Sequence, residues 1–196
     1  MNTARYIVGV LLVMSLPPGI LLWYAIHPFV HFWRRIGAGW TYAALSPFVV
    51  AWMAFAFLTR DALLVRDLGT QLLLLVPTVS CAVVGGIIAW KRRRQLTYRI
   101  VTGLPELSPH KHQSKLLTEG LYATIRHPRY VEVLLFTAAY AFFANHVGSY
   151  IATVLSVPAL YIVVLMEEKE LRDRFGAEYE DYCRRVPRFF PRVVRD

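Results

Sequence analysis

Two short segments hold most of the side chains that could take part in a reaction. In the first, LLTEGLYATIRHPRYVE (116–132), Gly120 invites a turn, and Leu121, Tyr122 and Ile125 have the spacing of one helical face. Pro128 suits the first turn of a helix, where its missing N–H has no partner to lose. Arg126 and His127 then stand beside the positive end of that helix, a natural place for an anionic group, with Tyr130 just inside. In the second segment, EEKELRDRFGAEYEDYCRRVPRFFP (167–191), Glu167 and Glu168 follow directly on an apolar run ending in Met166. Adjacent carboxylates face different directions on a helix, so at least one should point toward protein or interface and be able to meet a cation. Glu132 is a third unusual acid, one turn inside an apolar stretch. It either faces a polar cavity or snorkels to the surface.

The remaining polar residues have plainer explanations. Leu171, Phe175, Tyr179 and Tyr182 recur at intervals of three and four, which predicts an amphipathic helix, broken at Gly176 and ended by Val186-Pro187. Glu168 to Arg172, Glu170 to Arg174, Glu180 to Arg184 and Asp181 to Arg185 are spaced as solvated i,i+4 pairs. The run Lys91-Arg92-Arg93-Arg94 reads as an anchor in anionic headgroups rather than a nucleic-acid patch. Cys81 and Cys183 imply neither a disulfide nor a metal set.

Elements that carry such residues must be built from a greasy chain. Of 196 residues 56% are hydrophobic and 18% charged, yet Lys and Arg number 22 against 13 acids, a net charge of +9. The apolar content excludes disorder, and a chain this small has too little interior to bury so much of it in water. Five apolar stretches, at 6–26, 41–58, 72–90, 130–147 and 150–166, have the length of membrane helices. Four contain proline (Pro17 with Pro18, Pro47, Pro77 and Pro158), read as kinks, with 17–19 the place where the first span could divide. Trp23, Tyr24, Trp33, Trp40 and Trp90 fall near span ends, as interfacial aromatics do, and no cleaved signal peptide is expected. With the carboxyl end inside, 19 basic residues fall on the inner side and 3 on the outer. That bias predicts an outer amino end and a cytoplasmic carboxyl end. The predicted class is an all-α integral membrane protein. Residues 1–90 form a three-helix membrane region, and 91–196 a loop, a two-helix hairpin turning at Gly148-Ser149, and a tail helix.

Together these segments resemble the isoprenylcysteine carboxyl methyltransferase family, which is related to the membrane phospholipid N-methyltransferases. The likeness rests on the G-x-Y turn, the RHP-x-Y motif, the Glu-Glu pair, FG-x-E-Y and a closing proline, and covers about residues 115–191. It implies S-adenosylmethionine as cofactor, held by Leu117, Gly120, Tyr122, His127, Pro128, Tyr130, Glu167 and Glu168, and a lipophilic acceptor entering from the bilayer. A carboxylate acceptor would need a cation, Arg188 or an arginine among Arg92–Arg94 (Arg94 foremost) and Arg99; an amine would need a base, Glu132 or His127. Two departures concern the acceptor side: Glu132 stands where members often have a small residue, and 95–112 lacks the expected Gly/Trp pattern. An NADPH-dependent sterol-type reductase and a non-catalytic scaffold are the rival classes. The Glu-Glu pair suits a cationic sulfonium better than a phosphate-rich dinucleotide.

Overall fold

The computed structural model describes residues 2–95 and 116–191, so Arg99 and most of the 95–112 segment lie outside the described residues. Among these residues there are eight α-helices: α1 (Asn2–Ile26), α2 (Val30–Ile36), α3 (Ala38–Leu58), α4 (Arg60–Leu64), α5 (Leu75–Gln95), α6 (Pro128–Ala144), α7 (Val147–Phe175) and α8 (Ala177–Arg185). Single 3-10 turns stand at Leu72–Leu74 and Gly120–Ala123, and no strand occurs among the described residues. The all-α membrane class expected from the sequence is therefore what the chain adopts. Four helices, α1, α3, α5 and α7, are long and apolar enough to cross a bilayer. The remaining expected span is α6, whose 17 residues rise about 25 Å.

The shortest of the five is also the most enclosed. Helix α6 packs against α5, α1 and α7, while α3 reaches the bundle mainly through α1. Ile20, Tyr130, Leu160, Val163 and Val164 form the core where α1, α6 and α7 meet. Outward faces carry Phe48, Val50, Phe57, Val76 and Val83 exposed, an apolar surface that a bilayer solvates.

The helices run on through their prolines, and two of the orphaned carbonyls find other donors. Helix α1 runs unbroken through Pro17-Pro18. Pro18 has no N–H for the Met14 carbonyl, and that oxygen instead accepts from the Trp52 indole of α3 at 3.1 Å. In α3 the Ala43 carbonyl, which Pro47 cannot reach, takes the Ser46 hydroxyl at 3.0 Å.

Two boundaries differ from the sequence expectation. The α6–α7 turn is Asn145-His146 rather than Gly148-Ser149, which lie in the first turn of α7. Asn145 takes the left-handed conformation there (φ 52°), which asparagine tolerates. Gly148 serves a close crossing: a Cβ at that position would overlap the Leu63 carbonyl. Second, the span at 150–166 and the start of the expected tail helix are one helix of 29 residues, since nothing in 167–175 breaks it. The break comes where expected, at Gly176 (φ 53°, ψ −124°), a conformation that belongs to glycine.

The turn of the α6–α7 hairpin is strapped down. Buried Arg5 pairs with Asp67 and donates to the Ala144 carbonyl (3.0 Å) and Thr70 hydroxyl (3.0 Å). Backbone bonds from Leu68 to Asn145 and from Val147 to Arg66 fix the 65–71 segment across the turn.

Candidate functional site

At the opposite end the two chemistry-bearing segments are laced together by backbone. The Arg126 N–H donates to the Pro187 carbonyl (2.9 Å) and the His127 N–H to the Arg188 carbonyl (3.1 Å). The Tyr182 hydroxyl donates to the Tyr122 carbonyl at 2.6 Å. This docking buries the amphipathic face expected of the tail: Leu116, Tyr179, Tyr182 and Val186 form a small core with Leu171, Phe175 and Cys183.

Glu168 lies at the centre, fully buried. Its Oε1 accepts from Arg188 Nε (2.9 Å) and meets His127 Nε2 (3.1 Å) and Arg126 NH2 (3.2 Å). Its Oε2 accepts from Arg188 NH2 (2.8 Å) and Arg172 NH2 (3.4 Å). Four basic side chains thus converge on one carboxylate, and both oxygens are saturated. The paired carboxylate raises the proton affinity of Arg188 further.

Glu167 is partnered differently. Its Oε2 lies 3.7 Å from His127 Nδ1, close enough for charge attraction but without a hydrogen bond, and is buried with none among the described residues. His127 therefore stands between two carboxylates, one on each ring nitrogen. Burial is the largest single influence on His127 and lowers its proton affinity. The negative charges of Glu167 and Glu168, with the close contact to Glu168, outweigh it and hold the imidazole above its ordinary value. The ring sits near Tyr130 (centroids 5.8 Å apart) and Phe189 (6.0 Å), and Phe189 meets Tyr161 in turn.

A second polar centre lies across the α5–α6 contact. Arg92 donates from Nε and NH2 to both oxygens of Glu132, at 2.8 and 3.1 Å, with both side chains buried. The fork on a carboxylate explains how an acid stands inside a membrane helix: it faces the bundle, not lipid. Tyr122, on the turn at Gly120–Ala123, is within electrostatic reach of Arg92, Glu132 and Glu167, and burial pushes its hydroxyl up to about 12.

The matched pattern extends well beyond these residues. The profile of the phospholipid methyltransferase family fits residues 74–178, more than half of the chain. The protein belongs to that family. Over 77 residues, 39% of this chain, the family member is 36% identical to methanethiol S-methyltransferase 2 of Bradyrhizobium diazoefficiens; the match covers 29% of that protein. Over 83 residues, 42% of this chain, it is 30% identical to the nickel-cobalt-cadmium resistance protein NccN of Alcaligenes xylosoxydans xylosoxydans, covering 39% of it. The chain thus aligns with well under half the length of these curated relatives, and no solved structure matches it.

In this phospholipid methyltransferase-family chain the residues singled out from sequence divide into two groups. His127, Pro128, Tyr130, Glu167, Glu168 and Arg188 come together at the junction of α6, α7 and the tail. Pro128 opens α6 as expected, and Gly120 begins the 3-10 turn that carries Tyr122. Leu117 is half-buried beside that turn. Glu132 belongs to the second centre, and Arg94 to neither: its guanidinium lies 3.9 Å over the Trp90 ring. Arg126, placed by sequence beside His127 at the helix end, and Arg172, paired by spacing with Glu168, both meet Glu168. Sequence reasoning missed Phe189, which had no signal, since only the folded-back tail brings it there.

Proposed function

We propose that this chain is an S-adenosylmethionine-dependent methyltransferase acting on a lipophilic acceptor. The reading rests chiefly on Glu167, whose buried Oε2 has spare accepting capacity beside His127. A desolvated carboxylate oxygen without a hydrogen-bond donor is costly unless a ligand supplies one. Membership of the phospholipid methyltransferase family, and a relative named for methylating a thiol, support the same chemistry.

The residues present fit the cofactor's groups. Glu167 would meet a cationic centre, and the positive end of α6 with Arg126 and His127 would lie toward an anionic one. Tyr122, Tyr130, Leu117 and Phe189 offer apolar and aromatic wall. Bound there, S-adenosylmethionine supplies an electrophilic methyl on a positively charged sulfur. What the protein contributes is position, alignment and exclusion of water. Glu168, saturated by four basic side chains, holds the tail against α7 and orients His127 and is a positioning residue rather than a ligand. Residues 91–196 form the cofactor region and 1–90 the supporting membrane helices, with the site on the cytoplasmic side, where the basic residues concentrate.

Calorimetry of the detergent-purified protein tests the reading. Binding of S-adenosylmethionine, lost in Glu167→Gln, is the expected result. Binding of NADPH in its place would overturn it in favour of a reductase.

A further inference from the structure

The buried pair between α5 and α6 bears on the acceptor, and the inference rests on the methyltransferase reading above. Arg92 spends Nε and NH2 on Glu132 and nothing else among the described residues meets its NH1, which is buried without a hydrogen-bond partner. The side chain is about nine-tenths buried, so this edge is not turned to water. It stands beside the turn carrying Tyr122, which also senses Glu167. The pair is therefore electrically neutral, desolvated and adjacent to the proposed cofactor site, with one donor edge unspent.

Arg126 and Arg188 share Glu168, while Arg129 lies 4.8 Å over the Trp23 ring and Arg94 lies over Trp90, contacts that keep their positive charge. Locally, Arg92 itself is what counts: a carboxylate docking on its spare edge would meet a guanidinium already neutralised by Glu132. It would also bring a second anion beside Glu132 in a low-dielectric setting, where like charges repel strongly. A neutral head group meets neither obstacle, and a carbonyl, hydroxyl or thiol satisfies the spare N–H.

We infer that the Arg92–Glu132 pair is a specificity determinant that admits uncharged lipophilic acceptors and rejects carboxylates. Glu132 is the selecting residue, because without its charge Arg92 would become an anion receptor.

Two probes separate the possibilities: N-acetyl-S-farnesylcysteine, a lipophilic carboxylate, and its neutral carboxamide. Their binding to the full chain in detergent is read by tryptophan fluorescence, without cofactor. The wild type should bind the amide at least tenfold more tightly than the acid. Glu132→Gln, which keeps the volume and one accepting oxygen, should reverse the order. Arg92→Met with Glu132→Leu replaces the ion pair by apolar side chains and should abolish both preferences while the protein stays folded. A wild type that prefers the acid, a ratio unchanged in Glu132→Gln, or binding of neither probe overturns the inference. Calorimetry with S-adenosylmethionine on the same preparations is independent: if the cofactor fails to bind while the amide preference holds, the methyltransferase reading fails and the selectivity stands.

Discussion

Arg188 grips Glu168 with two parallel hydrogen bonds, Nε to Oε1 at 2.9 Å and NH2 to Oε2 at 2.8 Å, joining the folded-back tail to the C-terminal part of α7. The grip is reinforced by Arg126, His127 and Arg172 on the same carboxylate. Removing the acid leaves several buried or half-buried cations without their counter-charge. Glu168→Ala should cost about 3–5 kcal/mol, the usual consequence of breaking a buried ion pair from one side. A large fall in Tm in detergent checks this; a fall no greater than that of Glu180→Ala, on an exposed pair, would contradict it.

Glu167 should behave in the opposite way. Its Oε2 has no hydrogen bond to lose and gives up only the attraction to His127, so Glu167→Gln should lower Tm far less than Glu168→Ala. The same variant should weaken S-adenosylmethionine binding by at least tenfold in calorimetry. Equal affinity in variant and wild type would remove the carboxylate from the cofactor site.

His127 gives a pH dependence with a definite sign. Its folded-state value is raised above the ordinary 6.5 by Glu167 and Glu168 acting against burial. A group whose folded value is raised stabilises fully below its unfolded value and loses that contribution as pH climbs through the folded one. The contribution is therefore intact below about 6.5 and declines on the alkaline side. Tm measured from acidic to alkaline pH should show that decline, and His127→Phe should flatten it.

Gly148 should tolerate no side chain. A methyl there meets the Leu63 carbonyl of the crossing chain, so Gly148→Ala should cost about 1–3 kcal/mol by overpacking. Gly19→Ala, with nothing near its Cβ position, is the matched control and should be neutral or slightly stabilising.

Orientation is accessible by labelling in a background lacking Cys81 and Cys183. Cysteine at Leu68, exposed near the hairpin turn, should react with an impermeant reagent from outside. Cysteine at Arg93, exposed at the basic end of α5, should react only after permeabilisation. The reverse pattern would invert the proposed topology.

Much of this arrangement was legible because it follows from local rules. Apolar length marks the spans, Pro128 marks the start of α6, and Gly176 marks the break before α8. What escaped were the partners. Spacing offered Glu170 the neighbouring Arg174, yet Glu170 meets Arg34 of α2 and His27 after α1. Asp181 was paired with Arg185 and instead meets Arg184. Glu132 takes Arg92, forty residues away. Local spacing describes one helix in water; here bundle packing places distant charges together under conditions where leaving any alone is expensive. The same logic hid Arg5, whose partners Asp67 and Thr70 lie in the 65–71 segment and Ala144 at the end of α6.

The uninterrupted length of α7 makes the helix a ruler. Twenty residues separate Val147, fixed against the 65–71 segment, from Glu167, a distance of about 30 Å at helical rise. The helix continues through Pro158, so the depth of the carboxylates is counted from the far end of α7, residue by residue. One residue inserted after Val157 would lower them by about 1.5 Å and swing them roughly 100° around the axis, parting Glu167 from His127. The carboxylate end of the helix is thus calibrated by the end that lies across the bilayer.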